Sequence, residues 1–340
     1  MKIYFFGVEN WEKLHLEKQL KQLNLVEEFH FTNDALNKFN VSNYKDAEII
    51  SIFIYSKIDK EVIDKLPNLK FIITRSASYD HIDVEYAREK GIKVSHIPDY
   101  GNNTVAEFTF ALILALARKL KPMIERLSKH DFNRYGLMGI DLMGKTIGII
   151  GTGRIGSHVA RIAFGFGMKI LAYDRSKKEE LIKKYNVEYV GLEELLMRSD
   201  IVTVHLPYTK STRYLINRFN IKLTKRNAML INVSRGEVVE IEGLVEALKE
   251  GRLAGGVAID TIDTEEVELQ EKELRREEIP AIKFEKLLEK SYLLQEDNVI
   301  ISPHLAYYTK DASERILDIT VEEISRFINN QPLKYEIRER

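Results

Sequence analysis

Apolar and polar positions alternate along this chain in short β-branched runs separated by amphipathic stretches. Lys2–Val8, Glu48–Tyr55, Lys70–Arg75 and Ile92–Ile97 are strand-like, with a further short strand near Val26–Thr32. Between them, Trp11–Leu23 and Lys60–Leu66 carry apolar residues at helical spacing. Strand alternating with helix predicts a parallel, doubly wound sheet, so residues 1–100 form one α/β unit. Its first strand runs into Gly7-Val8-Glu9-Asn10, which lacks a glycine repeat, and this unit is not expected to hold a dinucleotide. Pro98-Asp99-Tyr100-Gly101-Asn102-Asn103 is the clearest break in the pattern. Beyond it Val105–Leu120, capped by Asn103 or Thr104, is apolar on nearly all sides, as suits a core or a subunit interface. Pro122 ends or kinks that helix, and Arg118, Lys119 and Lys121 match a helix C-terminus better than a nucleic-acid patch.

The pattern then resumes. Thr146–Ile150 is a buried strand and Ser157–Phe166 a helix with Val159, Ile162, Ala163 and Phe166 on one side. Met168–Tyr173 is a second strand, ending at Asp174. Strands follow at Ile201–His205, Leu230–Val233, Gly256–Asp260 and Asp297–Ser302, with helices at Leu192–Met197 and Gly243–Glu250. Residues 145–303 thus predict a six-stranded dinucleotide domain of the Rossmann type. Thr264–Lys290, densely charged and broken by Pro280, reads as a surface insertion. Asp311–Asn329 is an amphipathic closing helix with Ile316, Ile319, Ile324 and Phe327 on its apolar side.

The junction of the strand at Thr146–Ile150 with its helix carries chemistry. Gly151-Thr152-Gly153-Arg154-Ile155-Gly156 is a G-x-G-x-x-G in the required strand–turn–helix context. Gly151 permits the tight turn, Gly153 lets backbone approach a pyrophosphate, and Gly156 lets the helix pack on the strand. The unpaired N–H groups of the helix N-terminus face the phosphates. Asp174, about 20 residues further on, stands where an acid accepts the adenosine ribose hydroxyls. An acid there favours NAD over NADP, although Arg175 beside it pulls the other way.

Composition narrows the partners. The chain has 340 residues, so two domains are expected; 44% are hydrophobic and 30% charged, as in soluble globular proteins. A formal net charge of −1 gives no global drive toward nucleic acid or an anionic membrane. The absence of cysteine excludes disulfides, thiolate catalysis and Cys-ligated metal, and suits a reducing compartment. No metal site is expected. With no signal-like N-terminus and no unbroken apolar run of about 18 residues, a cytoplasmic protein is expected.

Open parallel sheets bind ligands beyond the carboxyl ends of their strands. That rule selects His205-Leu206-Pro207, Val233-Ser234-Arg235-Gly236, Asp260, Glu265 and Ser302-Pro303-His304. An arginine, an acid and a histidine suit reduction of a 2-oxo acid: Arg235 binds the carboxylate and polarises the carbonyl, and His304 supplies the proton. Each has a plainer reading. Arg235 suits a surface ion pair, His304 a satisfied core residue, and spacing does not choose Glu265 over Asp263 or Glu266. His205 reads as structural or as lining the cofactor cleft.

Taken together, these motifs resemble the D-isomer-specific 2-hydroxyacid dehydrogenases over nearly the whole chain. Arg75-Ser76-Ala77-Ser78-Tyr79-Asp80-His81-Ile82-Asp83, Thr104-Val105-Ala106-Glu107, Gly151 to Gly156, His205-Leu206-Pro207 and Asn232 to Gly236 carry the likeness. So do Asp260 with Glu265, and Ser302-Pro303-His304-Leu305-Ala306-Tyr307-Tyr308-Thr309. This last motif, Tyr100 and the charged insertion look most like the D-lactate dehydrogenase branch.

The resemblance implies two doubly wound parallel-sheet domains, a Rossmann NAD-binding domain and a smaller flavodoxin-like substrate domain. It divides the chain into 1–100, 101–303 and a return to the substrate domain at 304–340. It makes Arg235, Glu265 and His304 catalytic. Tyr55, Ala77, Ser78, Tyr100 and Tyr307, with Arg235, become substrate contacts. Arg154, Ile155, Asp174, Leu206, Pro207, Thr212, Val233, Ser234 and Asp260 join the glycines as NAD contacts. A homodimer through Val105–Leu120 and a small 2-oxo acid, pyruvate foremost, are further implications. Hydroxypyruvate or glyoxylate reductase, 3-phosphoglycerate dehydrogenase and an NAD-sensing corepressor are the alternatives. Two departures bear on substrate choice: Ser78 stands where glycine is usual, and Gly101-Asn102-Asn103 replaces the usual Ser-Pro-Asn.

Overall fold

The computed structural model describes residues 1–22, 28–261 and 291–338. It divides into a smaller unit, Met1–Gly101 with Tyr308–Arg340, and a larger one, Asn102–Tyr307.

In the smaller unit, strands β1 (Lys2–Phe6), β2 (Glu28–Thr32), β3 (Ile49–Ile52), β4 (Phe71–Thr74) and β5 (Lys93–Ser95) form one parallel sheet. Its order, β2-β1-β3-β4-β5, is that of flavodoxin-like folds. Both faces are covered. Ile3, Phe5, Ile49, Phe71 and Ile73 pack with Leu16 and Leu20 of the helix Asn10–Gln22 and with Leu317, Val321 and Ile324 of the closing helix Lys310–Ile328. Phe6, Ile50, Ile52 and Ile72 point the other way, toward Val62 and Ile63 of Lys60–Asp64 and Ala87 of Val84–Glu89. Each fully buried Val, Leu, Ile or Phe among them contributes about 1.5–3 kcal/mol. The two short helices start at Asp59 and Asp83, whose carboxylates accept from the Val62 and Tyr86 N–H groups. A fully buried Glu323 fastens the C-terminal tail, accepting from Ser95 Oγ (2.8 Å) and Lys334 N (2.9 Å).

The larger unit holds a parallel sheet of β6 (Thr146–Ile150), β7 (Lys169–Tyr173), β8 (Glu188–Tyr189), β9 (Ile201–Val204), β10 (Met229–Asn232), β11 (Gly256–Ile259) and β12 (Val299–Ile301). Among the described residues it has seven strands, not the six the pattern predicts. The strand the pattern missed is β8, two residues long and therefore without any period to read. Counted from β6, the order is the Rossmann 3-2-1-4-5-6 with one more strand at the far edge.

The long helix also differs from expectation. It runs Asn102–Ala117, beginning inside the predicted turn, and Val105, Ala106, Phe110, Ile113 and Leu116 are buried against the sheet and the helix Arg154–Gly165. It stops because Lys119 adopts a left-handed backbone, φ +52°. A second helix, Leu120–Ser128, then carries Pro122 in its first turn, where a missing N–H costs little. Pro122 therefore opens one helix instead of ending the other. Lys121 caps neither: its Nζ donates to the carbonyls of Leu294 (3.2 Å), Glu296 (2.7 Å) and Val299 (3.0 Å). The chain rejoins the smaller unit at Tyr308, not at residue 304. The physical reason is Asp260, which ties His304, Leu305 and Ala306 to the larger sheet. Among the described residues, no helix is long and apolar enough to cross a membrane.

Candidate active site

The glycine turn lies at the carboxyl end of β6. Gly151 has φ +93°, which only glycine adopts readily, and a Cβ on it would lie 2.8 Å from the His205 carbonyl oxygen. A Cβ on Gly156 would run into the Gly151 oxygen, so helix and turn touch backbone to backbone. Gly153, by contrast, is exposed, with nothing within 4 Å of where its Cβ would be. Helix Arg154–Gly165 starts at Gly153 without a side-chain cap. A tight turn, an open approach over Gly153 and an uncapped helix start fit a dinucleotide pyrophosphate.

Asp174 sits beside this turn at the end of β7. Its Oδ2 accepts from Thr152 N (2.7 Å) and Thr152 Oγ1 (3.0 Å), and its Oδ1 from Ser176 N (3.1 Å). Burial pushes the carboxyl pKa up, but the Ser176, Thr152 and Arg175 N–H groups and the Thr152 hydroxyl outweigh it and hold Asp174 below the usual carboxylate range. It is an anion at neutral pH. Sequence reading missed the partners: Tyr189, on β8, donates to Thr152 Oγ1 (3.0 Å) and so reaches Asp174 at one remove.

His205 follows β9, the neighbour of β6. Its ring is buried, neither nitrogen has a hydrogen-bond partner, and the same holds for Thr203 Oγ1 two residues earlier. Burial alone pushes the imidazole pKa down to about 3, so the ring is neutral. Of the residues after it, Leu206 is half-buried and Pro207 exposed, and Thr212 donates through Oγ1 to the Pro207 carbonyl (2.7 Å).

The loops bearing Arg235 and His304 leave β10 and β12, the two strands that flank β11, and are clamped from within. Asn232 ends β10; its Oδ1 accepts from Ser234 N (3.1 Å) and Ser234 Oγ (2.8 Å), while its Nδ2 donates to the Arg235 carbonyl (3.0 Å). Thr261 Oγ1, just past β11, donates to the Ser234 carbonyl (3.1 Å). Arg235 is half-buried in extended backbone. The 2%-exposed Asp260 does the equivalent for His304. Its Oδ1 accepts from Ser302 Oγ (2.6 Å) and Leu305 N (2.8 Å), its Oδ2 from Ala306 N (2.9 Å), and its carbonyl from His304 N (2.9 Å). His304 is held at φ +53°, half-buried, with the Tyr307 ring edge-on at 6.0 Å. Asn232 and Asp260 are thus clamps, a role that spacing alone did not reveal. Glu265 lies outside the described residues.

The smaller unit carries Tyr55, Ala77, Ser78 and Tyr100. Ser78 is not among the residues with positive φ, so serine meets no backbone penalty where glycine is usual. Its loop is braced: Ser76 Oγ donates to the Ser78 carbonyl (2.6 Å) and meets Thr74 Oγ1 (2.7 Å), which meets His81 Nε2 (3.0 Å). His96 Nδ1 holds the Ala77 carbonyl at 2.8 Å. Ala77 and Tyr55 are exposed, and the Tyr100 carbonyl accepts from Arg315 Nε (2.8 Å). Arg75, at the start of this motif, is only 1% exposed.

Residues 110–306 match the model of the D-isomer specific 2-hydroxyacid dehydrogenase NAD-binding domain. The chain belongs to this family, an NAD-dependent one, and its cofactor is NAD. Among individual relatives, 2-hydroxyacid dehydrogenase homolog 2 of Schizosaccharomyces pombe is 33% identical over 97% of both chains. The glyoxylate reductase of Thermococcus kodakarensis is 36% identical over 84% of this chain and 82% of its own. Of solved structures, the D-lactate dehydrogenase of Aquifex aeolicus, complexed with NAD and lactic acid, superposes with a TM-score of 0.84 at 39% identity, over 96% of each chain.

Proposed function

We propose that the protein is a cytoplasmic, homodimeric D-lactate dehydrogenase that reduces pyruvate, or a 2-oxo acid of similar size, to the D-2-hydroxy acid. The likeness to the Aquifex aeolicus enzyme through 96% of both chains carries this choice of substrate. NADH, when bound, supplies the hydride; the rest falls to side chains. Arg235 takes the substrate carboxylate in paired N–H···O bonds and draws density from the adjoining carbonyl. Protonated His304 gives its proton to the carbonyl oxygen, and in oxidation the neutral ring takes it back. Glu265 orients that ring. The Ala77 and Ser78 N–H groups hold the carboxylate, and Tyr55, Tyr100 and Tyr307 limit the substrate side chain. Gly151 to Gly156 receive the pyrophosphate and Asp174 the adenosine ribose; Leu206, Pro207, Thr212, Val233 and Ser234 line the remaining dinucleotide. Asp260 serves by fastening the His304 loop.

Glyoxylate reductase is the second reading, supported by the Thermococcus kodakarensis relative. A phosphorylated substrate is disfavoured because Arg75 already donates to the Phe6, Gly7 and Ser51 carbonyls within the smaller unit. The dimer draws support from exposed apolar side chains on one segment of the larger unit, Phe132 (82%), Met138 (87%) and Met143 (79%) among them. A sizing measurement showing a monomer would remove it.

NADH oxidation with pyruvate, glyoxylate, hydroxypyruvate and bulkier 2-oxo acids decides the substrate. Pyruvate should give the highest kcat/KM and a D product; a preference for glyoxylate of about tenfold or more, 1.4 kcal/mol in transition-state binding, transfers the assignment. His304→Ala should lower kcat by about 10²–10⁴ with NADH binding retained. Unchanged kcat would remove His304 as the proton donor.

A further inference from the structure

Three consecutive carbonyls in the loop after β4 are each held by a donor. The Ser76 oxygen accepts from Ile97 N (2.9 Å), the Ala77 oxygen from His96 Nδ1 (2.8 Å) and the Ser78 oxygen from Ser76 Oγ (2.6 Å). In a trans peptide the N–H points opposite to its carbonyl, so the N–H groups of Ala77, Ser78 and Tyr79 are turned away from these donors. The first two are the groups proposed to hold the substrate carboxylate. A carbonyl that accepts a hydrogen bond also makes the N–H across its own peptide a better donor, by roughly 10–30%.

Donor counting places the protons. Ser76 spends its one hydroxyl proton on the Ser78 carbonyl, so it accepts at the 2.7 Å contact with Thr74 Oγ1. Thr74 has then spent its own, and His81 Nε2, 3.0 Å away, carries a proton. His96 Nδ1 faces a carbonyl, which only accepts, so that nitrogen carries one too. A neutral imidazole of the right tautomer satisfies each case.

Two of the three holds are ordinary: Ile97 gives a backbone N–H, and Ser76 lies within the loop itself. His96 is different, because a half-buried side chain reaches Ala77 from 19 residues further along the chain. Its place is fixed on two sides. The Tyr79 ring meets the imidazole edge-on at 5.2 Å, and His96 N donates to the Tyr335 carbonyl (3.2 Å) of the C-terminal tail. That tail is fastened in turn by Ile337 N on the Val94 carbonyl (2.9 Å) and by Lys334 N on Glu323 (2.9 Å). The plain reading is a loop brace without bearing on chemistry. Against it, the carbonyl that His96 takes shares a peptide with the Ser78 N–H.

We propose that His96 is a positioning residue for the substrate carboxylate: by donating to the Ala77 carbonyl it aims and polarises the Ser78 N–H that meets a carboxylate oxygen. This rests on the reading that the Ala77–Ser78 loop holds the substrate. The carboxylate is common to every 2-oxo acid, so His96 sets affinity for the class and leaves the choice among side chains to other residues.

Steady-state kinetics with pyruvate and with glyoxylate, joined to amide NMR of the full chain, tests it. His96→Leu removes the donor and should raise KM for both acids by the same factor, about tenfold, while kcat falls less than about threefold and NADH affinity is unchanged. His96→Asn should bring KM back to within about threefold of the unaltered protein, since an amide Nδ2 stands where imidazole Nδ1 does. In the free protein the Ser78 amide proton should move upfield in His96→Leu and return in His96→Asn. A KM unchanged in His96→Leu would overturn the proposal, and so would a Ser78 resonance that does not move. Failure of His96→Asn to lower KM, in a variant that melts as the unaltered protein does, would overturn it as well. A Ser78 amide indifferent to oxamate, a 2-oxo acid mimic that is not reduced, in the NADH-bound unaltered protein would instead sink the reading of the loop.

Discussion

In the smaller unit β1 ends at Phe6 and passes into Gly7, φ +62°, beside β3; in the larger, β6 ends at Ile150 and passes into Gly151, φ +93°, beside β9. Both are points where the strand order reverses, the crevice where open parallel sheets bind ligands. In the smaller sheet that crevice is filled from within. The Arg75 guanidinium donates to the carbonyls of Phe6 (2.8 Å) and Gly7 (2.7 Å) and to Ser51 Oγ of β3 (3.1 Å). In the larger sheet the corresponding neighbour contributes His205, neutral and buried, and the space over Gly153 is open. A switch point becomes a nucleotide site only when the backbone around it is left available. Topology provides the crevice, and one side chain decides whether it is spent on structure.

Three substitutions probe that contrast. Arg75→Met removes the filling and strands buried acceptors at Phe6, Gly7 and Ser51. It should lower the unfolding free energy in urea by about 3–5 kcal/mol, with NADH affinity of the folded fraction unchanged. A loss below about 1 kcal/mol would show that the guanidinium is dispensable there. In the other crevice, Gly156→Ala forces a Cβ onto the Gly151 oxygen and must shift the turn. NADH should bind about 100-fold more weakly, close to 2.7 kcal/mol, and an unaltered Kd by calorimetry would mean that the pyrophosphate lies elsewhere.

The smallest effect concerns His205. Its folded pKa, about 3, lies below the unfolded value of about 6.5, so the unfolded chain binds the extra proton and stability falls as pH drops between these values. From pH 7 to pH 5 this group should cost about 2 kcal/mol. His205→Leu should flatten that part of the stability profile. An identical slope in both proteins would show that the ring is not buried neutral.

Much of the chemistry is legible in local sequence. Gly151 to Gly156 must lie between strand and helix to mean anything, and the β-branched run before them and the spacing of Val159 and Ala163 after them supply that context. The arginine and histidine emerge from a single rule about strand ends. What stays hidden is the support. Asn232 and Asp260 look like ordinary strand-end polar residues until their bonds are traced, because each acts on backbone groups of loops that spacing alone cannot fold. Tyr189 looks like a surface residue, and only the pairing of β8 with β7 brings it to Thr152.

The sequence by itself determined the two parallel α/β units, the dinucleotide turn and the candidates proposed as reacting side chains, because hydrophobic period and glycine placement are short-range properties. Tertiary structure decided where the long helix breaks, that the larger sheet has a seventh strand, and which of two similar crevices is sealed. Those outcomes depend on groups distant in sequence, as Arg75 is from Phe6 and Asp260 from Ala306, and no local pattern encodes a bond whose partner the fold has yet to supply.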